Sequence, residues 1–526
     1  MPLQRRHLLG AGLSALAAPP FIRHASAAYV PRFALGVASG MPQPTRLVLW
    51  TRLTGLDLPA HSAVRWTLAH DAACSRIAAQ GMETADAGTA HSVHAEPGGL
   101  DPGRSYFYRF EALGQRSATG RTRTAPAADA LSTLRAAIAS CQRWDHGQWA
   151  AWRHIAQQDL DLVLFLGDYI YEYPSSSASA KLVDGSSRSH DGPLLRTLDQ
   201  YRARYAEYKS DPALQAAHAA CPWLLVWDDH EVDNDYAGDR GSSLQGPALL
   251  RLRAAAYQAW WEHQPVPKAM QPVGPDMRIY HRLDWGLLAR IHALDDRQYR
   301  HPQACLPLLR RGGASVVNAA DCPDLQDPTR SLLGAAQERW LDAGWDSVRP
   351  WNLLAQQTLM ARRSRQPATG PGSGSRSGPD TGRDTGRYST DGWDGYPSAR
   401  QRLLASVAAR QLGGVVALGG DVHAHHVADL KADFDDPASP VLASEVCGTS
   451  ISSHGPAQST LAGWMAHNPH LHYGRSDQRG HVLITLDTQQ LQADLMAVQR
   501  PQDANSAVDL AARFVVQAGR PGPQRA

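Results

Sequence analysis

The apolar and polar positions of the chain follow two different patterns. In residues 34–123, short stretches such as RLVLWTRL and AVRWTLAHD alternate apolar with polar residues, and Gly and Pro separate them. A period of two is typical of strands that bury one face. We therefore predict a small all-β, immunoglobulin-like antiparallel sandwich over residues 28–127, with no catalytic cluster of its own.

After the turn-rich segment TAPAADALSTL, continuous apolar runs alternate with longer amphipathic stretches. This change predicts an α/β layer domain over residues 128–526. Helices are expected at 148–158, 249–263, 334–345 and 397–412. The length of 526 residues agrees with two domains or with one large domain that carries insertions.

Four of the apolar runs end in residues that can bind metal ions. Because open α/β sheets bind ligands outside the carboxyl ends of their strands, we expect the four segments to converge. One cluster alone would be weak evidence, since Asp commonly caps helices, but several buried carboxylates without a cation would be unfavourable. A metal site is therefore predicted. The segments are Cys141-Gln142-Arg143, Asp168-Tyr169-Ile170-Tyr171-Glu172, Asp228-Asp229-His230-Glu231 and Gly420-Asp421-Val422-His423-Ala424-His425-His426.

The ligand types narrow the choice of metal. Oxygen donors predominate, which favours hard cations over zinc. Tyr171, three residues after Asp168, offers a phenolate that suits ferric iron better than magnesium, and Cys141 would complete that site with a thiolate. Calcium or another divalent ion on the carboxylate-rich side would make a bridged cluster able to clamp phosphate.

The first residues have the features of an export signal. Arg5-Arg6 precedes a short apolar stretch and the small-residue site Ala25-Ser26-Ala27. A buried N-terminal helix would explain neither the paired arginines nor Pro19-Pro20. We interpret residues 1–27 as a twin-arginine signal peptide, which implies the twin-arginine export machinery as a partner and a periplasmic or secreted protein.

Charge and hydropathy argue against a nucleic-acid partner and against a membrane span. Lys plus Arg number 52 and Asp plus Glu 50, so the net charge of +2 provides no broad basic surface for nucleic acid. Beyond the N-terminus, no apolar run approaches the roughly 20 residues that a membrane span needs. We expect a soluble, monomeric mature protein.

The six cysteines are too few for a disulfide scaffold in so long a chain. Cys305 and Cys322 flank a Gly-rich loop that would be stabilised by closure in an oxidising compartment, so they are the preferred pair. Three others, Cys74, Cys221 and Cys447, are expected to be small buried residues.

In the ligand segments described above and in the motifs around them, the chain resembles the PhoD-like alkaline phosphatases, a family of metallophosphatases. The resemblance implies a fibronectin-like N-terminal domain, a core of two packed mixed sheets flanked by helices, and Fe³⁺ with Ca²⁺ as cofactors. By motif, it nominates Cys141, Asp168, Tyr171, Asp229, Asp421 and His423 as metal ligands. The motifs run in family order: GVASGMPQPTRLVLWTRL, ASCQRW, FLGDYIYEY, VWDDHEVDNDYAG, LDDRQYR, AQQTLM, DGWDGYPSARQRLL and GGDVHAHH.

Two segments depart from the family pattern. Met41 stands where the first motif usually carries Asp, and this lies away from the expected chemistry. The segment 362–390 is longer and richer in Gly and Ser than expected, so we interpret it as a flexible insertion, with a lid over the site as the alternative.

The resulting hypothesis is an exported, metal-dependent phosphoester hydrolase acting on a small phosphoester substrate. A metal-bound hydroxide or oxide would attack phosphorus in line, without a covalent enzyme intermediate. His230 would protonate the leaving oxygen or orient neighbouring groups. Arg297 would hold the phosphate, or else form a salt bridge to Asp295 or Asp296.

Further roles are predicted around this set. Asn234 is a candidate calcium ligand, Gln357 is expected to face the cleft, and His425 and His426 are expected to orient neighbours. Two other functions stay open: a phosphodiesterase or phospholipase D that uses the same cluster with a wider mouth, and a catalytically silent surface-binding module. The second alternative predicts broken clusters, whereas all four are intact.

Overall fold

The computed structural model describes residues 32–175, 182–183, 185, 187–190, 192–307, 310, 312–366 and 386–526. The expected signal peptide, 1–27, and most of the insertion at 362–390 lie outside these residues. Within the described ranges, no helix is both long enough and apolar enough to cross a membrane.

Antiparallel strands form the N-terminal part, as the alternating pattern predicts. They are β1 Val37–Gly40, β2 Val48–Arg52, β3 His61–Ala69, β4 Ile77–Asp86, β5 Ser92–Ala95, β6 Ser105–Ala112, β7 Gln115–Arg116 and β8 Gly120–Arg123. One sheet has the order β4-β3-β6-β7, and β8 also pairs with β6. Along β6, every second residue lies in one apolar core: Tyr106, Tyr108, Phe110 and Ala112. Alternation therefore sets which face of this sheet is buried.

The second part supplies most strands of two large sheets and all seven α-helices of the described residues. Its strands are β9 Leu134–Ala139, β10 Leu162–Leu166, β11 Trp223–Val226, β12 His281–Trp285, β13 Ala289–Ala293, β14 Val316–Asn318, β15 Trp351–Ala355, β16 Arg387–Ser389, β17 Val415–Gly419, β18 His425–Lys431, β19 Val441–Cys447, β20 Leu471–Arg475, β21 Arg479–Leu486, β22 Gln490–Val498, β23 Val508–Gln517 and β24 Arg520–Arg525. Its helices are α1 Ala150–Ala156, α2 Leu198–Lys209, α3 Pro212–Ala220, α4 Pro247–His263, α5 Gly334–Asp342, α6 Pro397–Ala409 and α7 Gln458–Met465.

The two large sheets share one apolar core. The first has the order β24-β23-β22-β21-β9-β10-β11-β1-β2-β5, and the second β12-β13-β15-β17-β19-β18-β20. Ile138 and Leu164 of the first sheet belong to the same buried cluster as Leu353 and Val416 of the second. The strands β9, β10 and β11 are mutually parallel, as are β13, β15, β17 and β19. Both sheets therefore contribute parallel strand ends to one edge of the core.

Three N-terminal strands continue the first large sheet. β1 pairs with β11 through Gly40 and Trp223, and β2 and β5 follow it outward. These strands also pack against the smaller sheet, since Leu49 and Leu68 lie in one apolar cluster. The N-terminal sandwich is thus hydrogen-bonded directly to the sheet that carries the predicted site. Met41, next to β1, has a φ of +50° and donates its N–H to the carbonyl of Trp223.

The four predicted helices occur as α1, α4, α5 and α6, with each end within three residues of its expected position. The helices α2, α3 and α7 were not predicted. In α2, polar and aromatic residues alternate without a clear apolar stripe, and a capping box formed by Thr197 and Gln200 marks its start instead.

A disulfide joins Cys305 and Cys322, the pair expected from the sequence. Cys74, Cys221 and Cys447 are buried free thiols, also as expected. The bridge closes the segment that leads to Ala314, whose N–H donates to a carboxylate oxygen of Asp235 at 3.0 Å. This hydrogen bond links the loop that the disulfide closes to Asp235, in the segment that follows β11.

Candidate metal centre

The ends of four strands from both large sheets meet at one place. Cys141 follows β9, Asp168 follows β10, Asp229 follows β11, and Asp421 follows β17 of the other sheet. Backbone hydrogen bonds link the first two loops, since the N–H of Cys141 donates to the carbonyl of Gly167 at 3.0 Å. The structure therefore brings together the four segments that the sequence predicted would converge.

The acidic, His and Cys side chains at this place form three overlapping groups. Within each group, one ligand atom from every residue lies within 4.8 Å of the others. The groups are Cys141, Asp168 and His423; Asp168, Asp229 and His230; and Asp228, Asp229 and Asp421. Because Asp168 and Asp229 each belong to two groups, their carboxylates could be shared between neighbouring cations.

Tyr171 lies next to the first group. Its hydroxyl donates to Oδ2 of Asp168 at 2.7 Å and lies 3.3 Å from Nε2 of His423. The hydroxyl of Ser453 donates to the Tyr171 oxygen at 2.6 Å. Burial, followed by the nearby charge of Asp168, raises the pKa of Tyr171 well above its ordinary value. A phenolate at this position therefore needs a strong cation beside it.

Unpaired buried oxygens indicate that these residues fit bound cations. In the described part of the chain, Oδ1 of Asp168 and Oδ2 of Asp228 are buried without a hydrogen-bond partner. Burial raises the pKa of Asp228 and of Asp421 well above the usual range, although Arg297 opposes this shift. The pocket thus holds more carboxylate than its own cations stabilise, and ions bound between the groups would supply the missing charge.

Four of the nominated ligands have a left-handed backbone. The φ angles are +59° for Cys141, +59° for Asp168, +61° for Asp421 and +52° for His423. Non-Gly residues rarely adopt positive φ, and such residues concentrate at functional sites. The backbone therefore turns sharply after β9, β10 and β17, at the residues whose side chains form the ligand groups.

His230 is held by a carboxylate outside the three groups. Its Nδ1 lies 2.7 Å from Oε2 of Glu172, and Nε2 makes no hydrogen bond to any residue in the described ranges. Burial lowers the pKa of His230, but Glu172, Asp168 and Asp229 outweigh it and hold the pKa well above its ordinary value. Glu172 also accepts the backbone N–H of Asn234 at 2.9 Å, which places Asn234 at the same edge of the site.

Arg297 lies in the centre, but its salt-bridge partners differ from those expected. The guanidinium is fully buried, with Nε bonded to Asp228 and Nη1 donating to Asp391 at 2.7 Å. The only hydrogen bond from Arg297 to Asp295 among the described residues comes from the backbone N–H, at 3.1 Å. The alternative of an ion pair to Asp295 or Asp296 was wrong, because the side chain turns inward and pairs with Asp228 and Asp391. Its Nη2, 3.6 Å from Asp421, is the guanidinium nitrogen that makes no hydrogen bond to the described residues.

Other supporting residues were missed in the sequence or placed differently. The buried carboxylate of Glu231 accepts backbone N–H groups from Asp168 at 3.2 Å and Asp228 at 2.9 Å, so it fixes two of the ligand loops. Gln357 was expected to face the cleft, but its amide donates to the backbone carbonyls of Trp227 and Leu294, at 2.8 and 2.9 Å. It therefore cross-links strand ends.

The two histidines after His423 point away from the three groups. His425 lies with Nε2 3.2 Å from the carbonyl of Met496. His426 lies with Nε2 3.3 Å from Nη1 of Arg363. Neither belongs to a potential metal group among the described residues, and their expected role in orienting neighbours stays a prediction.

A cleft of about 630 Å³ opens beside the centre. Its lining includes Asp421 of the third group and also Arg363, Arg365 and Trp464. The site is therefore accessible to a ligand larger than a single phosphate group.

Comparisons with known proteins identify the family of the chain. Residues 136–495 match the family model of the PhoD-like phosphatase, and residues 17–126 match the model of the PhoD-like phosphatase N-terminal domain. The chain is 39% identical to "Alkaline phosphatase D" of Bacillus subtilis (strain 168) over 505 residues, which cover 93% of this chain and 82% of that protein.

Solved structures show the same fold. A structure of PhoD superposes with a TM-score of 0.85 at 37% identity and covers 94% of this chain and 92% of that chain. A purple acid phosphatase from yellow lupin (Lupinus luteus) seeds superposes with a TM-score of 0.51 at 13% identity, with coverage of 91% and 74%. The second likeness bears on the fold alone, and together the two confirm the predicted fold class. The chain belongs to the PhoD-like phosphatase family.

Proposed function

We propose that the protein hydrolyses phosphoesters at a mixed centre of Fe³⁺ and Ca²⁺ held by the four strand-end loops. Its family membership makes it a phosphoric ester hydrolase similar to alkaline phosphatase D. The observation that supports a metal centre is the convergence of three overlapping ligand groups that include unpaired buried oxygens. Hydrolysis would transfer the phosphoryl group to water and release the alcohol.

The residue roles follow from position and donor type. We assign the ferric side to Cys141, Asp168, Tyr171 and His423, and the calcium side to Asp229 and Asp421, with Asn234 as a further ligand. When bound, such ions stabilise charge on the phosphoryl oxygens and lower the pKa of the attacking water.

The protein's own side chains would supply the remaining catalytic roles. His230 has a ring nitrogen free of hydrogen bonds to the described residues, so it can donate a proton to the leaving oxygen while Glu172 fixes the ring. Arg297 would act through Nη2, because Asp228 and Asp391 hold its other nitrogens. It would orient charge at the cluster rather than grip a phosphate with the whole guanidinium.

The cleft beside the centre supports phosphodiester hydrolysis as a second candidate activity, since its volume of about 630 Å³ leaves room for a further group beside a phosphate at the centre. Phospholipid hydrolysis is the same alternative with a larger, lipid-bearing diester as the substrate. Intact ligand groups and the family assignment argue against a silent binding module.

We further propose export by the twin-arginine route to the periplasm or outside the cell, with 1–27 as the signal, 28–127 as the outer sandwich and 128–526 as the catalytic unit. The paired arginines Arg5-Arg6 support the signal. We also propose that the protein is a monomer and that a flexible insertion lies within 362–390.

A substrate panel tests the function. The metal-replete protein should hydrolyse a phosphomonoester, a phosphodiester or a phospholipid, and the relative kcat/KM values identify the preferred class. Stripping calcium with a chelator should abolish turnover, and adding calcium back should restore it, because hard oxygen ligands hold that ion. Full activity after verified removal of all calcium would rule calcium out as a cofactor.

Colour tests the ferric side. Phenolate and thiolate ligands on ferric iron give a visible charge-transfer band, so we expect concentrated native protein to be violet or blue. Tyr171→Phe should bleach or shift this band, whereas Tyr280→Phe, outside the site, should leave it unchanged. A colourless, iron-free protein with full activity would remove Tyr171 and Cys141 from the ligand set.

A further inference from the structure

Two arginines line the cleft beside the metal centre without a carboxylate partner. In the described ranges, neither Arg363 nor Arg365 has an ion pair within 4.0 Å, although Asp394 also lines the cleft. The carboxylate of Asp394 instead accepts from the Arg400 side chain at 2.7 Å and from the backbone N–H of Arg363 at 2.9 Å. The two guanidinium charges therefore remain available to a ligand.

An aromatic ring holds these arginines together. The guanidinium carbons of Arg363 and Arg365 lie 5.0 and 5.1 Å from the ring centroid of Trp464, on α7. Contact with an indole ring restricts a guanidinium without using up its N–H donors. Burial lowers the pKa of both arginines, while the charge of Asp394 in the same cleft opposes the shift. Together the three side chains form a fixed, cationic wall of the cleft.

The neighbouring arginine is different. Arg362 donates to Asp435 at 2.6 Å and lies over Phe434, in a separate cavity. The chain therefore offers three nearly consecutive arginines, of which one is neutralised and two face the cleft that also contains Asp421.

We propose that Arg363 and Arg365, held against Trp464, bind a second anionic group carried by the leaving portion of the substrate. The inference rests on the proposed function, because it takes the phosphoryl group to be bound at the metal centre. Guanidinium groups pair strongly with phosphate and carboxylate. Water attacks phosphorus, the ester P–O bond breaks, and the alcohol leaves with its anionic group still attached.

The preferred substrates are then phosphoesters of alcohols that bear a further phosphate or carboxylate a few bonds from the ester. Neutral alcohols of the same size would bind less well, because they leave both cations without a partner. This assigns a specificity role to residues outside the ligand groups.

A matched substrate series tests the proposal on the metal-replete full chain. Bisphosphates of linear diols with two to six carbons are compared with the corresponding ω-hydroxyalkyl monophosphates, so that only the distal group changes. At the best chain length, we expect kcat/KM for the bisphosphate to be about 10- to 100-fold higher, the range for charge-assisted contacts. Having two equivalent esters accounts for only about twofold.

Variants locate the effect. Arg363→Gln with Arg365→Gln should reduce the ratio to the statistical value, Arg363→Lys should retain part of it, and Arg362→Gln should keep it. If the double variant does not fold, Arg365→Gln alone, with verified metal content, decides. A ratio near two at every length in the unmodified protein, or an unchanged ratio in the arginine variants, overturns the proposal.

The same assays separate this inference from the function on which it rests. Hydrolysis of 4-nitrophenyl phosphate or bis(4-nitrophenyl) phosphate with a statistical ratio refutes the second anion site alone. The absence of turnover on every phosphoester refutes the proposed function itself.

Discussion

Replacing Asp168 by Asn should lower kcat/KM by on the order of 10³-fold or more, since it removes charge from a shared metal site. Asp168 belongs to two of the three ligand groups, and its Oδ1 is buried without a partner among the described residues. Asn keeps the shape but offers one neutral oxygen, so the neighbouring cations would be held less tightly. Steady-state kinetics together with metal content measures the change. The same reasoning applies to Asp421→Asn on the opposite sheet.

Asp346→Asn is the matched control. Like Asp168, Asp346 is a buried acid. It pairs with arginines, lies in a loop before β15 and belongs to none of the three groups. We expect its loss to leave metal content and rate within a few-fold of the unmodified protein. Near-native activity in Asp168→Asn or Asp421→Asn would contradict the shared cluster.

Replacing His230 by Ala should affect poor leaving groups most. If His230 protonates the leaving oxygen, alkyl phosphates should lose about 10²- to 10⁴-fold in rate, whereas aryl esters, whose phenolate leaves unaided, should lose much less. The contact between His230 and Glu172 explains how the ring is held for this role. Both substrates are measured on variant protein with verified metal content.

Equal losses on alkyl and aryl esters would assign His230 to orientation or metal binding instead, consistent with its place in the group with Asp168 and Asp229. Glu172→Gln provides a second measurement. It keeps a hydrogen-bonding group beside the ring but removes the charge, so a proton-donor role predicts the same leaving-group dependence in a weaker form.

The sequence was sufficient for the layers and for the ligand segments because both leave local patterns. Alternation along β6 predicts a half-buried strand, and the apolar run of β10 followed by Asp168 predicts a buried strand that ends in a ligand. Strand ends in α/β sheets have known directions, so convergence could be expected without coordinates.

Features that depend on tertiary packing could not be predicted. No local pattern distinguishes Arg297 paired with Asp228, 69 residues away, from a pair with adjacent Asp295. Ser453 reaches Tyr171 from 282 residues away, and β1 joins the core sheet through Trp223. The left-handed backbone at Cys141 could not be predicted either, because cysteine has no preference for positive φ.

Metal content tests the central claim most directly. Elemental analysis of full-length protein, purified without chelators and corrected for buffer, should find about one iron and at least one calcium per active chain. Both values should fall in Asp168→Asn and remain in Asp346→Asn. Active protein with neither iron nor calcium, or with unchanged amounts of both in Asp168→Asn, would contradict a mixed iron and calcium centre built on these strand ends.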